Sequence, residues 1–167
     1  KVTLWGRDAA QMSEAETTRE NRRYLPGLRL PDSLRFTADL HAAIATLPKD
    51  APSLIVAVVP THTMRQVFAD IAAEIPAQAI IVTASKGIEN DTLLTMDDVL
   101  SQVLPSHLHD RIAVLSGPSF AKETIEKYPT AVVAAAKQRP IAEAVQRAFQ
   151  VGYFRVYTSD DVIGAEV

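Results

Sequence analysis

Three short runs constrain this chain most: Leu54 to Val59 (LIVAVV), Ala79 to Thr83 (AIIVT) and Ile112 to Leu115 (IAVL). Each is continuously apolar and mostly β-branched rather than alternating, the pattern of a strand covered on both faces in a parallel sheet. Each also breaks off into a small polar loop: Pro60-Thr61-His62-Thr63, Ser85-Lys86-Gly87 and Ser116-Gly117-Pro118-Ser119. In an open parallel sheet, ligands bind beyond the carboxyl ends of the strands, where Gly and Ser let backbone amides approach an anion. The three loops are therefore the first candidate site.

The intervening segments carry helical spacing. Met64, Val67, Phe68, Ile71 and Ala72 form one apolar stripe, and Leu93, Leu94, Met96, Val99, Leu100 and Val103 form another on a helix expected over Thr92 to Val103. At the start, Val2 to Trp5 reads as a strand running into Gly6-Arg7-Asp8. Asp8 is placed to cap a helix to about Arg23, where Arg19, Arg22 and Arg23 would complement its negative end. A short strand at Arg35 to Thr37 and a small helix capped by Asp39 follow. After the third run the expectation is a helix over Phe120 to Lys127, a strand over Pro129 to Ala136, a helix over Ile141 to Gln150 and a strand over Phe154 to Tyr157. Strands and helices in regular alternation argue for a doubly wound α/β fold.

Composition narrows the function. Apolar residues make up 47% and charged ones 22%, which suits a packed domain rather than a disordered one. Seventeen basic against twenty acidic residues leave a net charge of −3, with no basic stripe to serve a polynucleotide. The absence of Cys excludes disulfides and thiolate metal sites and suits a reducing compartment, so a cytoplasmic location is expected. No apolar run reaches the roughly 18 residues that span a bilayer. The four histidines show no metal-ligand spacing, and neither a phosphate-binding Walker loop nor a nucleophile elbow is present.

Individual residues carry the chemistry. Lys86, between Ser85 and Gly87 at a strand end, reads either as a cation aimed at a phosphate, alkoxide or ribose hydroxyl, or as a surface lysine in a turn. Arg7 reads either as a contact for the 2′-phosphate of NADP, the role of an Arg near the end of a dinucleotide fold's second strand, or as a solvated residue. Gly117 allows close backbone approach, and Pro118 opens the following helix, with Ser116 and Ser119 completing a second polar wall. G-x-G-x-x-G, the turn that seats a pyrophosphate, occurs nowhere among the six glycines.

Taken together, VTLWGRD at Val2 to Asp8, N-x-x-YLPG at Asn21 to Gly27, VVPTHT at Val58 to Thr63, TASKGIE at Thr83 to Glu89, VLSGPSFAKE at Val114 to Glu123, PTAVV at Pro129 to Val133 and YFRVYTSDDVIGAEV at Tyr153 to Val167 resemble the cofactor domain of bacterial-type NAD(P)-dependent glycerol-3-phosphate dehydrogenases. The resemblance covers nearly the whole chain. It implies a Rossmann-type, mainly parallel sheet lacking its first strand and the C-terminal helical domain. Residues 1–158 would be the dinucleotide-binding domain and residues 159–167 the start of a helix connecting to a helical substrate domain. The implied reaction is reversible NAD(P)H-dependent reduction of dihydroxyacetone phosphate to sn-glycerol 3-phosphate for glycerophospholipid synthesis, with NADPH favoured. The resemblance implies cofactor contacts for Arg7, Tyr24, Pro60, Lys86 and Ala121, and substrate contacts for Lys86, Gly117 and Ser119.

A homodimer is expected as well, while the expectations of no metal and no membrane insertion come from the residues themselves. The family's glycine-rich turn and its proton-transferring lysine both match nothing here, so they are expected ahead of Lys1 and beyond Val167, and residues 1–167 alone are expected to be inactive. In strand order 3-2-1-4-5-6 the first strand would lie between those at Val2 and Leu54. Two other readings stay open: a related dehydrogenase acting on a hydroxy acid, and a non-catalytic α/β module binding a phosphorylated ligand.

Overall fold

The computed structural model describes residues 1–166 and divides into two compact units, residues 1–47 and the remainder from Pro48. In the first unit, strand β1 (Val2–Trp5) leads to helix α1 (Ala9–Thr18), a hairpin of β2 (Glu20–Asn21) and β3 (Leu25–Arg29), strand β4 (Leu34–Thr37) and helix α2 (Leu40–Ala45). β1 pairs in parallel with β4, Val2 opposite Leu34 and Trp5 opposite Thr37. Both expected caps form: Asp8 accepts from the backbone of Gln11 at 3.0 Å and Asp39 from that of Ala42 at 2.9 Å.

The first helix ends earlier than its composition suggests. Arg19 turns left-handed at φ 56° and returns its N–H to the Ala15 carbonyl, closing α1 before Arg22 and Arg23 are reached. Its guanidinium then points inward, donating to the Leu34 carbonyl at 2.7 Å and lying 5.7 Å from the Phe36 ring centroid. Arg22 instead pairs with Glu14 and Glu20. The basic cluster thus staples the hairpin and β4 rather than complementing a helix terminus. Glu20 accepts the Gly27 backbone N–H, which together with Arg22 holds its carboxyl below the usual range.

The second unit contains β5 (Ser53–Ala57), α3 (Thr61–Ile71), β6 (Ala79–Thr83), α4 (Met96–Val103), a 3₁₀ turn (Ser106–Arg111), β7 (Ile112–Ser116), α5 (Ala121–Ile125), β8 (Thr130–Ala135), α6 (Arg139–Phe149), β9 (Phe154–Ser159) and α7 (Val162–Glu166). Its sheet runs β5-β6-β7-β8-β9, parallel except between β7 and β8. This is a Rossmann-like α/β arrangement with a mainly parallel sheet. All five residues of β6 are buried. One face of the sheet, through Ile80, Val82, Ala113, Val132 and Val156, packs on Ala142 and Val145 of α6. The other, through Val114 and Ala135, packs on Val162 of α7. Fully burying a side chain the size of Ile81 contributes about 2–3 kcal/mol, so β6 is the natural spine.

Two expectations need correction. The run Leu54 to Val59 does not form a strand covered on both faces: the strand ends at Ala57, and Val56, 41% exposed, and Val58, 69% exposed, line an open cleft. The helix expected from Thr92 begins at Met96 instead, capped by the Thr95 hydroxyl. Leu93 is left-handed at φ 58° and 71% exposed, so it belongs to the loop rather than the core stripe. The 3₁₀ turn was not foreseen at all. Among the described residues, no helix is long and apolar enough to cross a membrane and no cluster of His, Cys, Asp and Glu could hold a metal. Val167, the last residue of the expected connecting segment, lies outside the described residues.

At the end of α7, Glu166 accepts the Asp97 backbone N–H at 3.0 Å at the start of α4. Burial, and secondarily the neighbouring Asp97 carboxylate, push the Glu166 carboxyl above its ordinary range against the opposing pull of that N–H. The folded protein therefore holds this proton more tightly than the unfolded chain, so the contribution favours folding at low pH and is lost as pH rises through the folded pKa. Glu166→Gln keeps an acceptor and removes the charge. It is expected to raise the melting temperature at pH 7 by a few degrees at most, since solvent screens the site, and to leave it unchanged near pH 4; calorimetry across pH checks both.

Candidate functional site

Parallel pairing brings the ends of β5, β6 and β7 to one edge of the second unit. Ala57 is opposite Thr83, and Thr83 opposite Val114; β5 and β6 end in that row, and β7 runs on to Ser116 against β8 before its loop begins. Cross-bonds then tie the loops. The Ala84 N–H donates to the Ala57 carbonyl at 2.9 Å, and the Ser85 hydroxyl to the Val59 carbonyl at 2.6 Å. The Lys86 ammonium donates to the Gly117 carbonyl at 2.7 Å, and the Ser119 hydroxyl reaches the same oxygen at 3.4 Å. Lys86 remains exposed and has further N–H donors to offer a ligand.

Gly117 is required by its surroundings. Its φ is 144°, and a Cβ there would lie 2.9 Å from both the Ala131 carbonyl oxygen and the Val132 Cα. The antiparallel approach of β8 causes this crowding. No other residue type fits without moving the strand, and moving it would displace the carbonyl that holds Lys86.

Behind Lys86 the loop is anchored by a fork that sequence reading did not foresee. Arg65 of α3 donates to both oxygens of Glu89, at 2.9 and 2.8 Å, and to the Gln102 side chain of α4 at 2.9 Å. The Thr92 hydroxyl donates to Glu89 as well, at 2.6 Å. These bonds, the Arg65 fork first, hold the Glu89 carboxyl down at about 2. Only the place of Glu89 in TASKGIE hinted at it, because its partner lies 24 residues away on α3.

Beside the loops opens an apolar cleft of about 570 Å³ lined by Val56, Val58, Ala84, Leu115, Ser119, Ala121, Ile125 and Phe149, among others. Ser119 thus both reaches the Gly117 carbonyl and lines the cleft, and Ala121, the first residue of α5, adds only a methyl to its wall. An apolar slot whose wall includes the Ser119 hydroxyl, which shares the Gly117 carbonyl with the Lys86 ammonium, can take a flat ring on one side and an anion on the other. Pro60 is exposed and precedes α3, its carbonyl accepting from Thr63 at 2.9 Å. His62 is exposed in the first turn of that helix.

Arg7 and Tyr24 belong to the first unit. Arg7 is exposed between β1 and α1. Its neighbour Asp8 commits one carboxylate oxygen to the helix cap, which weakens any role for that group toward a ribose. Tyr24 is 63% exposed in the hairpin, with the Arg23 guanidinium 5.2 Å from its ring centroid. The structure therefore gathers Lys86, Gly117, Ser119 and Ala121 around one edge of one unit, and leaves Arg7 and Tyr24 on the other.

Residues 1–142 match the family described as NAD-dependent glycerol-3-phosphate dehydrogenase N-terminus. A protein of Anaeromyxobacter dehalogenans (strain 2CP-C) named glycerol-3-phosphate dehydrogenase [NAD(P)+] is 45% identical over 99% of this chain and 48% of its own length. One of the same name from Geobacter sp. (strain M21) is 42% identical over 100% of this chain and 48% of its own. The crystal structure of glycerol-3-phosphate dehydrogenase from Coxiella burnetii superposes with a TM-score of 0.85 at 30% identity, over 99% of this chain and 48% of that one. The chain thus spans about half the length of the curated relatives it matches.

Gly117→Ala tests the loop geometry without touching a side-chain donor. Left-handed strain and backbone overlap together should cost about 2–3 kcal/mol, read as a lowered melting temperature in a thermal melt; an unchanged melt would mean that β8 yields freely here.

Proposed function

The chain belongs to the NAD-dependent glycerol-3-phosphate dehydrogenase family, and on that premise we propose that it is the cofactor-binding part of an enzyme that reversibly reduces dihydroxyacetone phosphate to sn-glycerol 3-phosphate. Residues 1–158 form the dinucleotide-binding domain in this reading, and residues 159–167 begin the link to a helical substrate domain. The protein is cytoplasmic, acts as a homodimer and supplies glycerophospholipid synthesis. The observation that carries the proposal is the Lys86 ammonium, presented at the strand edge by the Gly117 carbonyl beside the Ser119 hydroxyl and the apolar cleft.

The cleft and its rim suit a nicotinamide cofactor: apolar walls for the ring, a small Ala121 where a larger side chain would obstruct it, and a cation for adjacent oxygens. A bound NADPH or NADH supplies the hydride. Lys86 contacts both cofactor and substrate and keeps the substrate's oxygens oriented, which lowers the entropic part of the barrier. Gly117 and Ser119 line the substrate pocket, and Ala121 borders the nicotinamide end. Pro60 borders the cofactor, while Arg7 and Tyr24 serve its adenosine end, with Arg7 favouring NADPH through the 2′-phosphate.

In the full-length protein that carries this chain, NADPH oxidation dependent on dihydroxyacetone phosphate is expected. Lys86→Ala should lower kcat/KM by about 100-fold while circular dichroism and melting stay at wild-type values. A folded wild-type protein that leaves dihydroxyacetone phosphate unreduced with either nucleotide would overturn the proposal.

A further inference from the structure

We propose that Arg65 is a positioning residue for Lys86, acting through Glu89. The segment between β6 and α4 is held by little apolar packing: Ile88 is 46% and Leu93 71% exposed. It also makes three left-handed turns, at Gly87 (φ 109°), Asp91 (φ 22°) and Leu93 (φ 58°). A segment with few buried contacts and a contorted backbone stays in place only if polar ties hold it. On one side of Lys86 the tie is β6 itself. On the other it is Glu89, three residues later, gripped by the Nε and Nη2 groups of the Arg65 guanidinium.

The grip is unlike an ordinary surface ion pair, which contributes little. Glu89 keeps only 13% of its side chain exposed, and the same guanidinium donates onward to Gln102. Arg65 therefore ties the loop to α3 and α4 together. A planar fork sets distance and rotation at once, which a single ammonium does not. Without it, the segment after Lys86 keeps its own turn bonds, Glu89 to Leu94 and Leu93 to Glu89, but loses its tie to α3 and α4. The inference rests on the reading of Lys86 as a ligand contact, because misplacing such a group by about 1 Å costs up to about 100-fold in rate.

The test uses the full-length protein and two separate readouts. In the ligand-free protein, acetylation of Lys86 by an N-hydroxysuccinimide ester is followed by peptide mass spectrometry, with exposed Lys49 as the internal standard. In Arg65→Met, Lys86 should react about fivefold faster relative to Lys49, the size of effect expected when one net hydrogen bond is lost. The same variant should lose about 10- to 100-fold in kcat/KM for dihydroxyacetone phosphate. Exchanging the two charges, Arg65→Glu with Glu89→Arg, should recover part of both.

If Arg65→Met does not fold, Arg65→Lys decides the same labelling question, since it keeps the charge and loses the fork. Unchanged Lys86 labelling in a folded variant overturns the positioning role, whatever the activity. Faster labelling with unchanged catalysis supports the positioning role and instead counts against Lys86 as a ligand contact.

Discussion

The parallel register of β5, β6 and β7 is the constraint on which the candidate site depends. Ala57, Thr83 and Val114 stand in one row across the three strands; β5 and β6 end there and β7 two residues later, so all three loops open at the same edge. Cross-bonds between neighbouring ends follow almost without choice, because peptide groups just past a ladder either find partners or stay in water. Ala84 and Ser85 bond back to the end of β5, and Lys86 bonds forward to the end of β7. The burial of β6 on both faces, completed by α6 on one side, keeps this edge from shifting.

β8 adds a second constraint because it runs antiparallel to β7. Its backbone at Ala131 and Val132 presses against residue 117 and excludes a Cβ there. The carbonyl that accepts from Lys86 is consequently fixed by packing rather than by a flexible loop. A cation held by a rigid acceptor, on a segment clamped by Arg65, can be exposed to a ligand and still be well placed.

Much of this was legible in the residues. The strands at Val2, Ala79 and Ile112 and the caps at Asp8 and Asp39 come from local rules: apolar β-branched runs and short acidic side chains before a helix. What was not legible depends on distant partners. α1 ends at Arg19 because that guanidinium finds the Leu34 carbonyl, 15 residues away. Thr92 and Leu93 look helical but are drawn into a loop by Glu89, whose own geometry is set by Arg65. Val56 and Val58 are exposed because they line the cleft, which a run of valines does not reveal. The polar loops around Lys86 and Gly117 were readable as a site because their residue types have few other uses at strand ends. The family resemblance supplied the roles of Arg7 and Tyr24, for which local chemistry offered only an exposed cation and an exposed ring.

A crystal structure of the full-length protein with oxidised NADP and dihydroxyacetone phosphate tests the central claim most directly. The account predicts the Lys86 Nζ within about 3 Å of a ligand oxygen, with Ser119 and Ala121 in contact with the bound molecules and the Arg65 fork on Glu89 unbroken. Ligands bound elsewhere, with Lys86 engaged by the Gly117 carbonyl alone, would contradict it.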